Sequence, residues 1–292
     1  MTVISIDDIR KIDDQLISQN VLIHQRPFQT TLEWMSLNKI QGDISSFYKP
    51  VEDIYQKLYP RQKFSIPNLL IGGIAFRDQI YITRIPVIYG MAGINLFDFV
   101  DIDPSELALM HNVYFEQYKK AVYSICDLYD IAFGIDDILK EKESNEILVY
   151  WLEMILSLTM SAAFALSENI NLDNAIQSSL LSVELAAKSS LMYLGCDANY
   201  IKKSLGHCRK MIKENLISYK IIDENDDFFE IYYSLPKYVD SRYKPQNLSK
   251  QELVNIAIKS QFLVSEIIRK ISKRNLARDM QLEQQFVRPS LL

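Results

Sequence analysis

Residues that interrupt regular structure are few in this sequence. Its 292 residues include only 8 glycines and 9 prolines, and a many-stranded fold would need more of this turn chemistry. The scarcity predicts a mainly helical chain. With 48% hydrophobic residues, the chain can bury one or two cores, because a domain usually holds about 100–200 residues. We therefore expect two domains.

Cysteines and membrane signals are also scarce. The three cysteines, Cys126, Cys196 and Cys208, are an odd number without a CxxC pair, which indicates neither a disulfide framework nor a zinc site. The first residues carry acids and no long apolar run, so no signal peptide is expected. No window reaches about 18 uninterrupted apolar residues, the length of a spanning helix. We expect a cytoplasmic protein without a membrane span, a metal or a cofactor.

Strong charge of either sign is missing as well. The formal net charge of -5 argues against a chain coated in basic residues for non-specific DNA binding, although a local basic patch stays open. Serine nucleophile elbows, phosphate loops and dinucleotide fingerprints are absent from the sequence. Several large classes of enzyme are therefore not indicated.

The N-terminal half carries two kinds of pattern. Apolar residues recur at helical spacing from Ser5 to Gln19 and from Gly42 to Leu58, which predicts two helices. Near residues 69–89, β-branched and aromatic residues form two runs on either side of a charged turn, which predicts a β-hairpin. Gly72-Gly73 would permit a bulge or a close approach, and Pro86 would end the second strand or place it at an edge.

A charged run suggests the domain boundary. Apolar residues after residue 105 follow one face of a long helix, which Gly134 is expected to end or bend. A dense run of charges then extends to Glu146. We therefore predict an N-terminal α+β region over residues 1–140, a helical bundle over residues 145–273 and a mobile or partner-binding tail over residues 274–292.

Four helices are predicted for the bundle. The first is apolar on nearly all faces, and the second ends where Gly195 stops it. The third is interrupted near Gly206, and the last is long and amphipathic. Their predicted ranges are Ile147–Glu168, residues up to Leu194, Ala198–Lys220 and Gln251–Ser272.

The order of several short motifs resembles a known superfamily. In the segment SVELAAKSSLMYLGC, Glu184 and Lys188 flank small residues, and Gly206-His207 follows about a dozen residues later. A tyrosine-rich loop then leads to Arg242-Tyr243 and a closing helix, with Lys244 before the proline. Over residues 145–273 this order resembles HEPN domains of the kind often found beside nucleotidyltransferases.

The resemblance implies a function and a partner. It implies a HEPN-like protein in RNA- or nucleotide-linked stress or defence, of the toxin–antitoxin or antiviral type, with a binding or assembly role favoured over independent catalysis. It also implies a homodimer, for which the last helix offers an amphipathic face. Two alternatives remain: a ribonuclease with a rearranged site, and a purely structural module that docks a protein partner.

The catalytic motif of HEPN ribonucleases is missing. These enzymes use an arginine, four to six further residues and a histidine, which stabilise the phosphate and handle the 2'-hydroxyl proton. The only histidines are His24, His111 and His207, and no arginine stands five to seven positions before any of them. His207 could still work with Arg242 if the fold brings them together. The alternative is that His207 only packs at the Gly206 break.

Basic residues form two clusters that could bind phosphates. Tyr200 and Tyr219 beside the first cluster would be available for stacking on bases. Equally, a run of basic residues is often only the solvated face of a helix. The first cluster, our predicted nucleic-acid-binding set, comprises Lys202, Lys203, Arg209, Lys210 and Lys213, and the second comprises Arg269, Lys270, Lys273, Arg274 and Arg278.

An acid-rich segment leaves one remote alternative. Its carboxylates could hold magnesium for a diphosphate, as in helical terpenoid synthases. The aspartate expected three residues after Asp137 is replaced by Lys140, so a solvated charge run between domains is favoured. The acids are Asp127, Asp130, Asp136, Asp137 and Glu141.

Overall fold

A computed structural model describes the chain except for residues 1–3, 22, 24, 41–44, 61–67, 88–94, 244–245 and 285–286, and except for the side chains of residues 45, 46, 243 and 284. The chain is mostly helical with one small antiparallel sheet, as predicted. It divides into two compact units, Met1–Pro67 and Asn68–Leu292. The boundary that we predicted between residues 140 and 145 lies inside the second unit.

The described residues of the first unit form three helices: α1 (Ile6–Ser18), α2 (Arg26–Leu37) and α3 (Ser45–Leu58). Helices α1 and α3 follow the two predicted apolar patterns, whereas α2 was not predicted. Their shared core includes Trp34 and Tyr55. At its centre the buried carboxylate of Asp13 accepts hydrogen bonds from the hydroxyls of Tyr55, at 2.8 Å, and Tyr59.

The second unit begins with the predicted hairpin. Strands β1 (Asn68–Phe76) and β2 (Gln79–Pro86) pair antiparallel, with Gly73 opposite Ile82; predicted residues 88 and 89 lie outside the described residues. A Cβ atom at Gly72 would collide with Leu128, so this glycine allows the close approach that we expected. After a 3-10 turn at Leu96–Phe99, Val100 bridges back to Thr83.

The single long helix that we predicted next is two helices, α4 (Pro104–Val113) and α5 (Phe115–Glu141). Gly134 does not end the helix, as one of our two expectations had it, because α5 continues through it to Glu141. Gly134 instead lets α5 lie close to a later helix, since a Cβ atom there would lie 2.5 Å from Ile268 Cγ2. Asp136, Asp137 and Glu141, which we had placed in a charged run between domains, are therefore part of α5.

The predicted helices of the bundle follow. They are α6 (Glu146–Ser167), α7 (Leu172–Tyr193), the short α8 (Ala198–Tyr200), which continues as a π-helical turn over Ile201–Leu205, and α9 (Arg209–Ser218). Gly195 and Gly206 end their segments with φ angles of +93° and +48°, the left-handed region that glycine favours. Both interruptions occur where the sequence predicted them.

The remaining helices are α10 (Asp227–Ser234), α11 (Tyr238–Tyr243), α12 (Lys250–Ser272) and α13 (Leu276–Gln284). Helix α12 begins with a capping box between Ser249 and Glu252 and packs against α5, α7 and the hairpin. Its apolar face is buried within the second unit, so that face is not the exposed dimer surface that we expected. Gln261 on α12 illustrates this burial: its side-chain amide bonds both the N–H and the C=O of Gly73, at 3.0 and 2.9 Å.

Helix α6 is long and apolar. Among the helices of the described residues, it is the one whose length and composition would also suit a membrane crossing, although 33% of its most apolar window is buried inside the protein. Tyr150, Met160 and Phe164 are exposed along one side of it. The other side packs against α7.

Candidate functional site

Three residues that carried the resemblance meet in one cluster. Glu184 and Lys188 lie one turn apart on α7, and Lys188 Nζ is 2.6 Å from Glu184 Oε1. The second oxygen of Glu184 is 2.9 Å from Nδ1 of His207. The side chains of Glu184 and Lys188 are only 8% and 11% exposed, and a buried carboxylate of this kind requires a charged partner. Lys188 supplies that partner.

Glu184 also fixes the chemistry of His207. The carboxylate accepts the Nδ1 proton, so the other ring nitrogen, Nε2, is the one left to exchange a proton or meet a ligand. Among the described residues Nε2 has no hydrogen-bond partner. The His207 side chain is 47% exposed, so solvent reaches it. A half-exposed histidine oriented by a buried carboxylate is suited to acid–base chemistry and to anion recognition.

A cavity of about 310 Å³ adjoins this cluster. Leu180, Val183 and Leu235 give it an apolar side, while Glu184 and His207 give it a polar one. Three basic residues, Arg209, Lys210 and Lys237, also belong to the lining. The cavity therefore combines a proton-exchanging group, positive charge and apolar surface.

The loop after α10 forms one wall of this cavity, and Arg209 holds it in place. The Arg209 guanidinium donates to the carbonyl of Leu235, at 2.8 Å, and to that of Pro236, and it lies over the ring of Tyr232. Burial lowers the pKa of Arg209. Arg209, which we predicted to bind nucleic acid, thus donates its hydrogen bonds to the protein's own backbone.

His207 and Arg242, our predicted catalytic pair, meet at the same aromatic ring. The His207 and Tyr238 ring centroids are 5.5 Å apart, and Arg242 Cζ lies 5.8 Å from the Tyr238 centroid. Gln177 on α7 donates to the Ser241 carbonyl at 3.4 Å and thereby ties α11 to α7. The fold thus brings both residues to one place, although 35 positions separate them in sequence.

The first basic cluster is only partly available to a ligand. Lys202, Lys203 and Lys210 are exposed, and Lys210 lies 3.9 Å from Glu214. Lys213 lies over the Phe229 ring, with Nζ 4.8 Å from its centroid. The stacking candidates Tyr200 and Tyr219 are 36% and 38% exposed.

The second basic cluster is divided between the surface and a buried ion network. Arg269 Nη2 lies 2.6 Å from Asp127, and its Nε lies 2.7 Å from Asp130. Arg274 pairs with Asp137 on the outside of the same helix pair. These two arginines pair with acids of the protein itself, so Lys270, Lys273 and Arg278 are the members of this cluster that remain exposed for the phosphate-binding stripe that we considered.

The tail that we predicted to be mobile or partner-binding completes this network. It contains α13, and its Arg288 contacts Asp127 through both terminal nitrogens. The Arg288 guanidinium also lies 4.4 Å from the Phe262 ring centroid. Asp127 is fully buried, and a second cation on it explains why the tail lies against the protein.

The acids considered for magnesium are already paired. Asp127 and Asp130 are held by arginines, and Asp136 lies 2.5 Å from Lys140. Within the part of the chain that the structure describes, no group of three or more His, Cys, Asp or Glu residues comes together as a metal site.

The sequence did not reveal the contact between Glu184 and His207, or the role of Arg288. The motif order pointed to Glu184, Lys188 and His207 separately, but 23 residues separate Glu184 from His207. His24 and the Lys244-Pro245 segment lie outside the described residues. No family model matches this chain, and no curated protein or solved structure matches it either.

Proposed function

We propose that this is a HEPN-like cytoplasmic protein that binds RNA or a nucleotide at the cavity beside Glu184 and His207. The observation that carries the proposal is the hydrogen-bonded cluster of Lys188, Glu184 and His207. Glu184 and His207 line that cavity, and Arg242 lies 5.8 Å from the ring of Tyr238, another lining residue. The residues on which the resemblance depends are Glu184, Lys188, His207 and Arg242. Binding in an RNA-linked stress or defence system, of the toxin–antitoxin or antiviral type, is the role that the resemblance implies.

Positive charge near the cavity supports an RNA ligand. Lys210 lines the cavity, and Lys202 and Lys203 are exposed on the preceding turn. Phosphates of a single strand could contact these lysines, while Tyr200 offers a partly exposed ring for stacking. The cavity itself is large enough for one base or one sugar and accepts both apolar and polar groups.

Anisotropy with a labelled 20-nucleotide single-stranded RNA tests this binding at several salt concentrations. Changing Lys202, Lys203 and Lys210 together to Gln should weaken binding and reduce the slope of log K against log salt by about 2, because each phosphate contact contributes about 0.7 for single strands. The matched control changes the exposed residues Lys270, Lys273 and Arg278 to Gln. Equal loss in both triple variants, or no binding by the native protein at low salt, would contradict the proposal.

A ribonuclease is the second candidate, and the hydrogen bond from His207 to Glu184 favours it. In this mechanism His207 Nε2 takes the 2'-hydroxyl proton, and the 2'-oxygen attacks the adjacent phosphorus. The bond from phosphorus to the 5'-oxygen of the next nucleotide breaks, that oxygen takes a proton from water, and His207 releases its proton to the solvent. The products are a 2',3'-cyclic phosphate and a 5'-hydroxyl. Arg242 would stabilise the charge on the phosphate.

Incubation with mixed total RNA, with magnesium or with EDTA, distinguishes the two candidates. If the ribonuclease reading holds, cleavage persists in EDTA, is abolished in His207→Ala and falls in Glu184→Gln, while His111→Ala remains active. Shifted but intact RNA supports binding alone. If RNA is neither shifted nor cleaved, the remaining hypothesis is that the protein is a structural module that docks a protein partner.

We also propose a homodimer formed through the bundle, as the resemblance implies. Tyr150, Met160 and Phe164 form an exposed apolar side of α6. A second copy of the chain would pack against this side. Changing both Met160 and Phe164 to Glu should convert a dimer to a monomer in sedimentation experiments. The exposed Val113→Glu is the control. A native monomer at high concentration would contradict this part of the proposal.

A further inference from the structure

A second cavity, of about 320 Å³, lies where the hairpin tip, α5 and α12 meet. The charged side chains that line it are all basic, namely Arg77, Lys120 and Lys259. Leu291 and Leu292 of the C-terminal segment form another part of the wall. The cavity therefore concentrates positive charge in a protein whose net charge is -5.

None of these three cations is neutralised by a carboxylate within the described residues. Arg77 Nη2 donates to the Tyr114 hydroxyl at 3.0 Å, and Lys259 Nζ donates to Ser234 Oγ at 3.0 Å. Both partners are uncharged. The Lys120 ammonium has no hydrogen bond or ion pair to any described residue.

The arrangement differs from that of Arg269 and Lys188, the two cations that are buried among the described residues of this unit. Arg269 and Lys188 each contact at least one carboxylate. By contrast, burial and then the charge of Lys120 lower the pKa of Lys259, so the two lysines repel each other. Like charges held in one cavity are unfavourable unless an anion occupies it.

We propose that this cavity binds the phosphate group of a small phosphorylated molecule. A phosphate monoester carries about -1.5 to -2 charges at pH 7 and three acceptor oxygens, which matches three cationic donors better than a single carboxylate does. The side-chain amides of Gln251 and Asn255, together with Ile258 and Leu291, would contact the rest of the molecule. The volume lies near the lower end of the usual range for ligand sites, about 300–1,000 Å³, which favours a small molecule over a polymer.

Calorimetric titration of the full chain with inorganic phosphate tests the site, with sodium acetate and sodium chloride at matched ionic strength as comparisons. Lys120→Gln and Lys259→Gln should each weaken phosphate binding roughly tenfold, since a hydrogen bond to a charged group is being removed. Lys270→Gln, an exposed lysine on the same helix as Lys259, should bind phosphate normally. Arg77→Gln at the exposed hairpin tip gives an independent variant if either lysine variant fails to fold.

Saturable phosphate binding that exceeds acetate binding, and that the cavity variants alone weaken, would support the site. It would be overturned by phosphate binding no stronger than chloride, by equal binding of acetate, or by equal loss in Lys270→Gln. The site does not depend on the RNA proposal, because none of its lining residues lines the cavity beside His207.

Discussion

At the scale of single residues, the most consequential group is the Arg269 guanidinium. It is 4% exposed and contacts Asp127, Asp130 and Glu266. Burial favours the protonated form of Asp127, but Arg288 and Arg269 outweigh burial and hold its pKa below the usual range. At Asp130 burial outweighs Arg269 and raises the pKa. Asp127 therefore stabilises the protein at neutral pH and loses this effect as the pH falls below about 4, whereas Asp130 opposes that trend.

Arg269→Met should strongly destabilise the second unit, because it leaves two buried aspartates with too little positive charge. We expect a loss of roughly 3–5 kcal/mol in the free energy of unfolding at pH 7, measured by urea denaturation. With the arginine gone, the pKa values of both aspartates rise in the folded state, so the folded protein binds more protons. The deficit should therefore shrink between pH 7 and pH 5.

Lys270→Met is the matched control, since Lys270 is the exposed neighbour of Arg269. Its free energy of unfolding should stay within about 0.5 kcal/mol of the native value. A similar loss in both variants, or a deficit in Arg269→Met that is constant with pH, would contradict the assigned role of the ion network.

At the scale of secondary-structure elements, Gln261 joins α12 to the hairpin in the way that a neighbouring strand would. Its amide satisfies the N–H and C=O of Gly73 together, at a buried position. Unpaired buried backbone groups are costly, and their burial here depends on this single side chain. The hairpin is thus held by helix side chains rather than by a larger sheet.

Gln261→Met keeps much of the side-chain volume but removes both hydrogen bonds. The free energy of unfolding should fall by roughly 2–4 kcal/mol, because two buried backbone groups lose their partners. Hydrogen exchange at the Gly73 amide should accelerate more than exchange in α7. Gln251→Met, at an exposed position on α12, should change neither quantity; unchanged exchange at Gly73 in Gln261→Met would count against this account.

Sequence patterns predicted elements where the signal is local. The helices around Ile9 and Leu152, the hairpin and the breaks at Gly195 and Gly206 all follow from apolar spacing or from glycine at a positive φ. Gly134 misled the prediction because its small size serves packing against α12, which a local pattern cannot reveal. The order of motifs likewise pointed to Glu184 and His207 without revealing that they are hydrogen-bonded partners.

At the scale of the whole molecule, the described residues of each unit form a large hydrophobic core of their own. The core of the second unit runs from Leu70 to Ile271, and among the described residues no member comes from Met1–Pro67. From the sequence we placed the division at a charged run instead, because charged residues on a helix surface and charged residues in a linker form the same local pattern. The two differ in their partners, and Arg274, the partner of Asp137, lies 137 residues further along the chain.

A fragment of residues 68–292 should therefore fold on its own. Its far-ultraviolet circular dichroism should retain the helical signal, and its urea midpoint should match that of the corresponding transition in the full chain. A fragment of residues 145–292, which lacks the hairpin and α5, should fail to fold cooperatively. The opposite order of stability would contradict the division at Pro67.

The pairing of Asp127 with Arg269 also has a consequence for synthesis. The two residues are 142 positions apart, so at about 5–20 residues per second a ribosome needs roughly 7 to 28 seconds to make the second after the first. Throughout that interval α5 carries two carboxylates that cannot enter an apolar interior. The second unit therefore cannot complete its core before α12 has been translated, and until then the nascent chain stays accessible to chaperones.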